Sequence, residues 1–210
     1  MAAFLIILQI GSTWPALYVL SYIARVIVAA VLLIWLREKY TKISWRFAWL
    51  GAIVGVIGVV QWVGMQLWLQ RHVAWFTPDP NESPFNPWQA INSQPAAVAF
   101  IAFRWIAGAT IVVPVMEELF WRDFLWRNII APSDFKLAHV GEWSVQAFFA
   151  IAIVFSTVHG HWWLTAIVWA LMIGGLLVYT KSLGACIVAH AVTNLLLGAY
   201  VLIYKDWSFW

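Results

Sequence analysis

Charged residues are scarce in this sequence, at 10% of the chain, whereas hydrophobic residues make up 64%. A soluble domain is typically about half apolar and about a quarter charged. The shortage of charge therefore excludes an ordinary soluble domain. It is typical of a protein that crosses a bilayer several times, and the 17 tryptophans agree, because indole rings collect at the membrane–water boundary.

Cysteine and basic clusters are almost absent as well. One cysteine, Cys186, excludes an intrachain disulfide and any metal site built from several cysteines. The formal net charge is only +3 and no long basic run occurs, so nucleic-acid binding has no support. The N-terminus lacks the basic region of a cleavable signal peptide, and we interpret it as part of the mature protein.

Apolar stretches divide the chain into predicted membrane spans. A spanning helix needs about 20 apolar residues. Such stretches predict helices at about 17–36, 47–69, 96–116, 145–158, 163–180 and 185–204, with a shorter apolar segment at 3–10. We therefore expect an all-α, polytopic membrane bundle of about six transmembrane helices, with a short extra N-terminal segment, forming a single integral membrane domain over 1–210.

Connections and glycines refine this prediction. The basic segment 37–46 predicts a cytoplasmic loop, and the Pro- and Asn-rich segment 77–95 predicts a loop on the opposite face. The chain would then return to the cytoplasmic side at 117–142. In the second span, the series Gly51, Gly55 and Gly58 predicts close helix packing.

Ionisable residues within membrane spans need individual explanations, because each costs about 2.5–3.5 kcal/mol to insert at mid-membrane. Arg25 and Arg104 lie inside predicted spans. We expect them to snorkel, or to pair with an internal carboxylate or backbone carbonyl; the alternative is that one of them contacts a substrate or serves catalysis.

Two adjacent glutamates follow the third span, in the segment "VPVMEELFWRDFLWRN". At about 100° per residue, Glu118 and Arg122 share a helical face, which predicts an ion pair. Glu117 lies about 140° from Arg122, and we expect its side chain to point into the protein. The alternative is a helix start at the interface, where acidic groups favour the positive end of the helix dipole.

Two histidines and an amide complete the polar set. His159 ends the fourth span in "FSTVHGHWW", and His190 and Asn194 share a face of the last span. A carboxylate beside an imidazole can activate water, so we assign this role to Glu117 and His159. His190 and Asn194 can stabilise the resulting oxyanion. The sequence thus predicts a peptide hydrolase that works inside the membrane.

No nucleophile has comparable support. Ser156, Thr157 and Ser182 lie in or near spans, but none stands in a nucleophile-elbow pattern. Cys186 is predicted to be a buried, inert thiol rather than a catalytic one.

Three motifs resemble those of a known family. "EELFWR", "FSTVH" and "HAVTN" occur in order on separate spans, within residues 96–204. They resemble the EExxxR, FxxxH and HxxxN/D motifs of the CPBP family of intramembrane proteases, which includes the type II CAAX prenyl endopeptidases. The C-terminal segment further resembles CAAX-protease-related proteins associated with bacterial exosortase systems.

This resemblance implies an all-helical fold and a glutamate-dependent protease without a metal. It implies a membrane-associated protein or peptide substrate, and a place in the lipid bilayer of the bacterial inner (plasma) membrane. The implied site consists of the water-activating pair Glu117 and His159, the oxyanion pair His190 and Asn194, and the supporting ion pair Glu118 and Arg122.

Three alternatives stay open at the level of sequence. Zinc could bind at Glu117, His159 and His190 with water in the fourth position. The chain could be a non-catalytic binding, immunity or scaffold protein on the same fold. It could also be a transporter, because intramembrane His and Glu residues build proton relays, although no repeat suggests alternating access.

Overall fold

Helices make up the regular structure of the computed structural model, which describes residues 1–79 and 84–210. Counted within those ranges, the helices are α1 (Ala2–Thr13), α2 (Tyr18–Trp35), α3 (Ala48–His72), α4 (Pro87–Ala90), α5 (Gln94–Ile130), α6 (Val145–Thr157), α7 (Trp163–Thr180) and α8 (Leu183–Tyr204). This confirms the predicted all-α bundle.

The number of long spans differs slightly from the prediction. Five helical segments in the described chain are long and apolar enough to cross a membrane: Pro15–Trp35, Ala48–His72, Gln94–Ile130, Gly160–Thr180 and Leu183–Tyr204. Helix α6, the predicted fourth span, has only 13 residues. The predicted N-terminal segment forms α1, with 12 residues. The chain is an integral membrane protein.

Helix α5 is much longer than the predicted span at 96–116, because it runs for 37 residues to Ile130. Its backbone alternates between α and π turns, with π turns at Phe103–Val112 and Leu119–Leu125. The α turn between them, Val113–Glu118, carries both glutamates. π turns inside helices are frequent at functional sites, and here they flank the acidic pair on both sides.

Glycines bring α3 and α8 into backbone contact, as predicted. A Cβ on Gly51 would lie 2.3 Å from the Ala185 carbonyl oxygen, and one on Gly55 would lie 2.6 Å from that of Ala189. The hydroxyl of Thr193 donates to the Gly55 carbonyl at 3.1 Å. Small residues permit this approach where the membrane supplies little driving force for helix association. The contact fixes α8 against α3.

Loop contacts place the predicted basic loop 37–46 beside the end of α5. Arg127 donates to the Thr41 hydroxyl at 2.7 Å, and the Ser182 hydroxyl donates to the Ser44 carbonyl at 2.8 Å. The end of α5 therefore lies next to segment 37–46. Of the predicted cytoplasmic segment 117–142, residues 117–130 belong to α5, and the side of the membrane stays a prediction. On the segment 77–95, residues 80–83 lie outside the described residues, and residues 87–90 form α4 rather than loop.

Serine hydroxyls cap the two helices that begin beside these loops. Ser144 accepts from the Ala147 N–H and starts α6, whereas Ser182 accepts from the Ala185 N–H and starts α8, each at 3.2 Å. An N-cap satisfies an N–H group that would otherwise lack a partner in the first turn. These caps set where α6 and α8 begin, and hence the depth of the polar residues they carry.

Candidate active site

All four predicted catalytic side chains line one cavity of about 130 Å³. Glu117 comes from α5, His159 from the turn after α6, and His190 and Asn194 from α8. One water needs only about 10–15 Å³ of such space. The cavity can therefore hold water beside the carboxylate and both imidazoles.

Aromatic side chains form much of the cavity wall. Trp62, Phe155 and Trp169 line it, and the Trp62 and Trp169 rings meet edge to face at 6.3 Å. Trp62 also meets the His159 ring at 5.7 Å, and Trp169 meets the His190 ring at 4.7 Å. Packed rings of this size restrict side-chain motion. Both histidines are thereby held in place by tryptophans.

Glu118 forms the predicted ion pair with Arg122, and both side chains are fully buried. Arg122 Nη1 donates to Glu118 Oε1 at 3.3 Å, and Nε lies 3.3 Å from Oε2 as an ionic contact without hydrogen-bond geometry. The guanidinium also lies over the rings of Phe155 and Trp169, at 4.9 and 5.4 Å. Carboxylate and rings together offset the cost of burying this cation.

Glu118 has a second partner that the sequence did not predict. His190 Nδ1 lies 2.8 Å from Glu118 Oε1. A carboxylate accepts, so Nδ1 carries the proton and the orientation of the ring is fixed. The adjacent glutamates thus have different positions: Glu117 lines the cavity, while Glu118 does not line it and contacts Arg122 and His190.

A backbone carbonyl fixes the tautomer of His159. Its Nδ1 lies 2.8 Å from the Phe155 carbonyl oxygen. Because a carbonyl only accepts, Nδ1 must carry the proton, and in the neutral ring Nε2 then holds the lone pair. This is the form that a base requires. The FxxxH spacing therefore supplies both the ring contact and the carbonyl that orients the histidine.

Asn194 is anchored by an irregularity in α5. Its amide donates to the Ala109 carbonyl at 2.8 Å. In this π turn the Val113 N–H donates to the carbonyl of Gly108, five residues earlier. In the same register, the Ala109 carbonyl would accept from the N–H of residue 114. That residue is Pro114, which has no N–H. The proline leaves a carbonyl for the asparagine, whose second amide hydrogen is available to the cavity.

The alternative that the glutamates mark an interfacial helix start is wrong. They lie in the middle of α5, 23 and 24 residues after its first residue, Gln94, and the helix continues beyond them to Ile130. The prediction that the third span ends at residue 116 is wrong for the same reason. Charges after Met116 interrupt the hydropathy of the sequence, but Glu118 pairs with Arg122 and Asp123 with Arg127 within the helix itself.

The intramembrane arginines lie over aromatic rings, and neither forms an ion pair with a described carboxylate, which was one of the expected partners. Arg25 lies over the rings of Phe4 and Tyr22, at 5.2 and 4.3 Å. Arg104 donates to the Tyr18 hydroxyl and lies over the Tyr22 ring at 4.7 Å. Cation–π contacts take the place of ion pairs in this part of the bundle.

The candidate nucleophiles are engaged elsewhere. Ser156 and Thr157 each donate to a carbonyl one turn back, at 2.7 Å, and Ser182 caps α8. Cys186 is fully buried, with its sulfur 3.8 Å from the Ile173 carbonyl oxygen. None of the four lines the cavity that holds Glu117.

The described side chains do not form a metal-binding site. Within the part of the chain that the structure describes, no group of three or more His, Cys, Asp or Glu side chains is placed to hold a metal ion. Glu117, His159 and His190 line one cavity but do not form such a set. The metal-free reaction itself stays a prediction.

Sequence reasoning missed a second ion pair and the tryptophan walls. Asp123 and Arg127 are buried and 2.5 Å apart, and Arg127 also donates to the Ala138 carbonyl at 2.9 Å. The i,i+4 spacing of this pair was a usable signal, identical to that of Glu118 and Arg122. The roles of Trp62 and Trp169 had no such signal, because 17 tryptophans are spread along the chain.

Comparison with family models identifies the segment that contains the site. Residues 98–196 match the model described as type II CAAX prenyl endopeptidase Rce1-like. Over this segment the chain is similar to that family. It includes all three motifs, and the predicted resemblance is confirmed; the exosortase-associated subgroup is not. Comparison with curated proteins and with solved structures gave no match.

The Rce1-like family implies CAAX-type intramembrane endopeptidase activity. A protease of this kind acts on a membrane-associated protein from within the bilayer, which agrees with the five long apolar helices of the described chain. The cavity is lined by residues from several of these long apolar helices.

Proposed function

We propose that this chain hydrolyses a peptide bond of a membrane-associated protein with water activated by Glu117 and His159, while His190 and Asn194 stabilise the oxyanion. The observation that carries the proposal is the single cavity lined by these four side chains. Three of them are oriented by hydrogen bonds: His159 by the Phe155 carbonyl, Asn194 by the Ala109 carbonyl and His190 by the Glu118 carboxylate.

The reaction follows from these positions. Water gives a proton to the Glu117–His159 pair as its oxygen attacks the carbonyl carbon of the substrate. The carbonyl oxygen becomes an oxyanion that accepts from the Asn194 amide and the His190 ring. The C–N bond then breaks, and the proton held by the base passes to the leaving amine. The products are a new carboxylate and a new amine.

The contact between Glu118 and His190 sets a condition on the oxyanion role. With Nδ1–H directed at Glu118, the His190 ring can donate to an oxyanion only through Nε2, and only as an imidazolium. The supporting ion pair is therefore part of the electrostatics of the site, because Arg122 and His190 share one carboxylate.

We further propose that the reaction needs no metal. The described residues offer no ligand group, and Asn194, one turn from His190, is occupied at Ala109. Hydrolysis then depends on the residues of the chain alone. The same proposal places the catalytic core at 96–204 within a single domain over 1–210, in a bacterial inner membrane.

The test uses the purified full chain in lipid nanodiscs and an S-farnesylated CAAX peptide, with products identified by mass spectrometry. We expect cleavage by wild type and a loss of about 10²–10⁴-fold in Glu117→Gln, the usual contribution of a general base. A metal chelator should change the cleavage rate of neither wild type nor Glu117→Gln. Cleavage that survives Glu117→Gln would contradict the assigned base. Binding without cleavage would favour the non-catalytic alternative.

A further inference from the structure

A second cavity of about 160 Å³ adjoins the catalytic one, and the two share Asn194 and Leu197 in their walls. Its other lining residues include Arg104, Trp105 and Trp210. A group in this second cavity would lie directly beside the amide assigned to the oxyanion. The cavity is therefore in the right place for a part of the substrate close to the scissile bond.

Arg104 is a buried cation without a carboxylate partner in the described chain. Arg104 is only 7% exposed, and its Nε has no hydrogen-bond partner among the described residues. The guanidinium contacts the Tyr18 hydroxyl and lies 5.1 Å from the ring of Trp210. By contrast, Arg122 and Arg127 each have a buried carboxylate within 3.3 Å. An unpaired cation at membrane depth is costly and favours an anionic ligand.

The shape of the cavity limits what that ligand can be. Apart from Arg104 and Asn194, the side chains of its wall are apolar or aromatic, and none of the described lining side chains is acidic. Its volume is below the roughly 300–1,000 Å³ of pockets for drug-sized ligands. It suits the end of a chain, and the anionic group that ends every peptide is its C-terminal carboxylate.

The spacing along α5 agrees with such a ligand. Arg104 precedes Ala109, the anchor of Asn194, by five residues, which is roughly 7 Å along a helix. An extended peptide covers about 3.3–3.6 Å per residue. A carboxylate at Arg104 would therefore lie only a few residues beyond a peptide bond at Asn194.

We propose that Arg104 binds the free C-terminal carboxylate of the substrate and so directs cleavage to a bond near the end of the chain. This inference rests on the proposed function, and it makes Arg104 a specificity-determining residue. An anionic lipid headgroup offers similar chemistry, and the test separates the two sources.

The cleavage test compares two S-farnesylated CAAX peptides that are identical except for a C-terminal carboxylate or carboxamide. Wild type should prefer the carboxylate in kcat/KM by at least about tenfold, as expected for hydrogen bonds to a charged group. Arg104→Gln should reduce that preference to about one, with little change for the amide. Arg104→Lys should keep part of the preference. A preference that survives in Arg104→Gln would overturn the proposal.

Arg25→Gln is the matched control, because Arg25 also lies over aromatic rings but lines neither of the two cavities. It should leave the ratio between the two peptides unchanged. If both arginine variants lower the cleavage of both peptides equally, the role of Arg104 is structural and the proposal fails.

A binding measurement decides the matter even if no peptide is cleaved. Trp105 and Trp210 line the cavity, so the tryptophan fluorescence of Glu117→Gln should change with the carboxylate peptide. The affinity for the amide peptide should be at least about tenfold lower. In Glu117→Gln/Arg104→Gln the fluorescence change should be lost. Binding with this pattern, but no cleavage by wild type, would refute the peptidase and retain the carboxylate site. A response to phosphatidylglycerol vesicles alone would assign Arg104 to lipid and refute the carboxylate site.

Discussion

Glu118 is the residue on which the buried polar groups converge. It is fully buried, and its carboxylate contacts Arg122 and His190 at 3.3 and 2.8 Å. Charges inside a low-dielectric protein are tolerated when each has a partner, and removing one partner leaves the other uncompensated. The same carboxylate therefore contributes to stability and to the orientation of the His190 ring.

Glu118→Gln should destabilise the protein by about 3–5 kcal/mol, the usual cost of breaking a buried pair from one side. Unfolding in detergent, followed by tryptophan fluorescence, measures the loss. Replacing both partners, as in Glu118→Leu/Arg122→Leu, should recover most of the stability, because no isolated charge is left. Activity should stay low in the double variant because His190 still lacks its acceptor. Equal stability of Glu118→Gln and wild type would contradict the ion pair.

At the level of secondary structure, helix α5 positions the site through its irregular backbone. π turns on both sides of Val113–Glu118 displace the helix from a regular α register, and Pro114 leaves the Ala109 carbonyl to Asn194. One missing N–H in α5 thereby fixes a side chain of α8.

Pro114→Ala would restore that N–H, which would compete with Asn194 for the Ala109 carbonyl. We expect activity to fall by tenfold or more, towards the roughly 10²–10³-fold effect of losing an oxyanion donor. Stability should be unchanged or higher, because alanine favours helices. Pro95→Ala is the control, since Pro95 lies in the first turn of the same helix, where proline is tolerated. Undiminished activity in Pro114→Ala would refute this role of the proline.

The packing of α3 on α8 allows a second prediction at this scale. A Cβ on Gly55 would lie 2.6 Å from the Ala189 carbonyl oxygen and 2.7 Å from Val192 Cβ. Gly55→Ala should cost about 1–3 kcal/mol through overpacking and should lower activity, because α8 carries His190 and Asn194. Gly64→Ala, in the same helix with nothing within 4 Å of its Cβ, should be neutral or stabilising. Equal effects of the two substitutions would contradict close packing.

Sequence patterns were informative where the relevant contact is local. The i,i+4 spacing predicted the pair of Glu118 and Arg122, and the glycine series predicted the contact of α3 with α8. The length of α5 was not predictable from hydropathy, because its charged residues read as a loop until their partners within the helix are known. The contact of Glu118 with His190 spans 72 residues and has no periodic signal.

At the scale of the whole molecule, helices from distant parts of the chain meet at the catalytic cavity. α3 supplies an aromatic wall, α5 the carboxylate of Glu117, the turn after α6 a histidine, and α8 the second histidine and the asparagine. The family match covers residues 98–196 and therefore omits α1 to α4. The wall supplied by Trp62 in α3 shows that the segment before the match contributes to the site.

The central claim is that this assembly cuts proteins with Glu117 as its base. The most direct measurement is quantitative terminomics of membranes from the native host, comparing wild type with Glu117→Gln at equal abundance. We expect protein termini that are present in wild-type membranes and missing from Glu117→Gln membranes, and these termini would identify the substrate. Identical termini in the two strains, with a cellular phenotype that persists in Glu117→Gln, would contradict proteolysis and favour a binding protein.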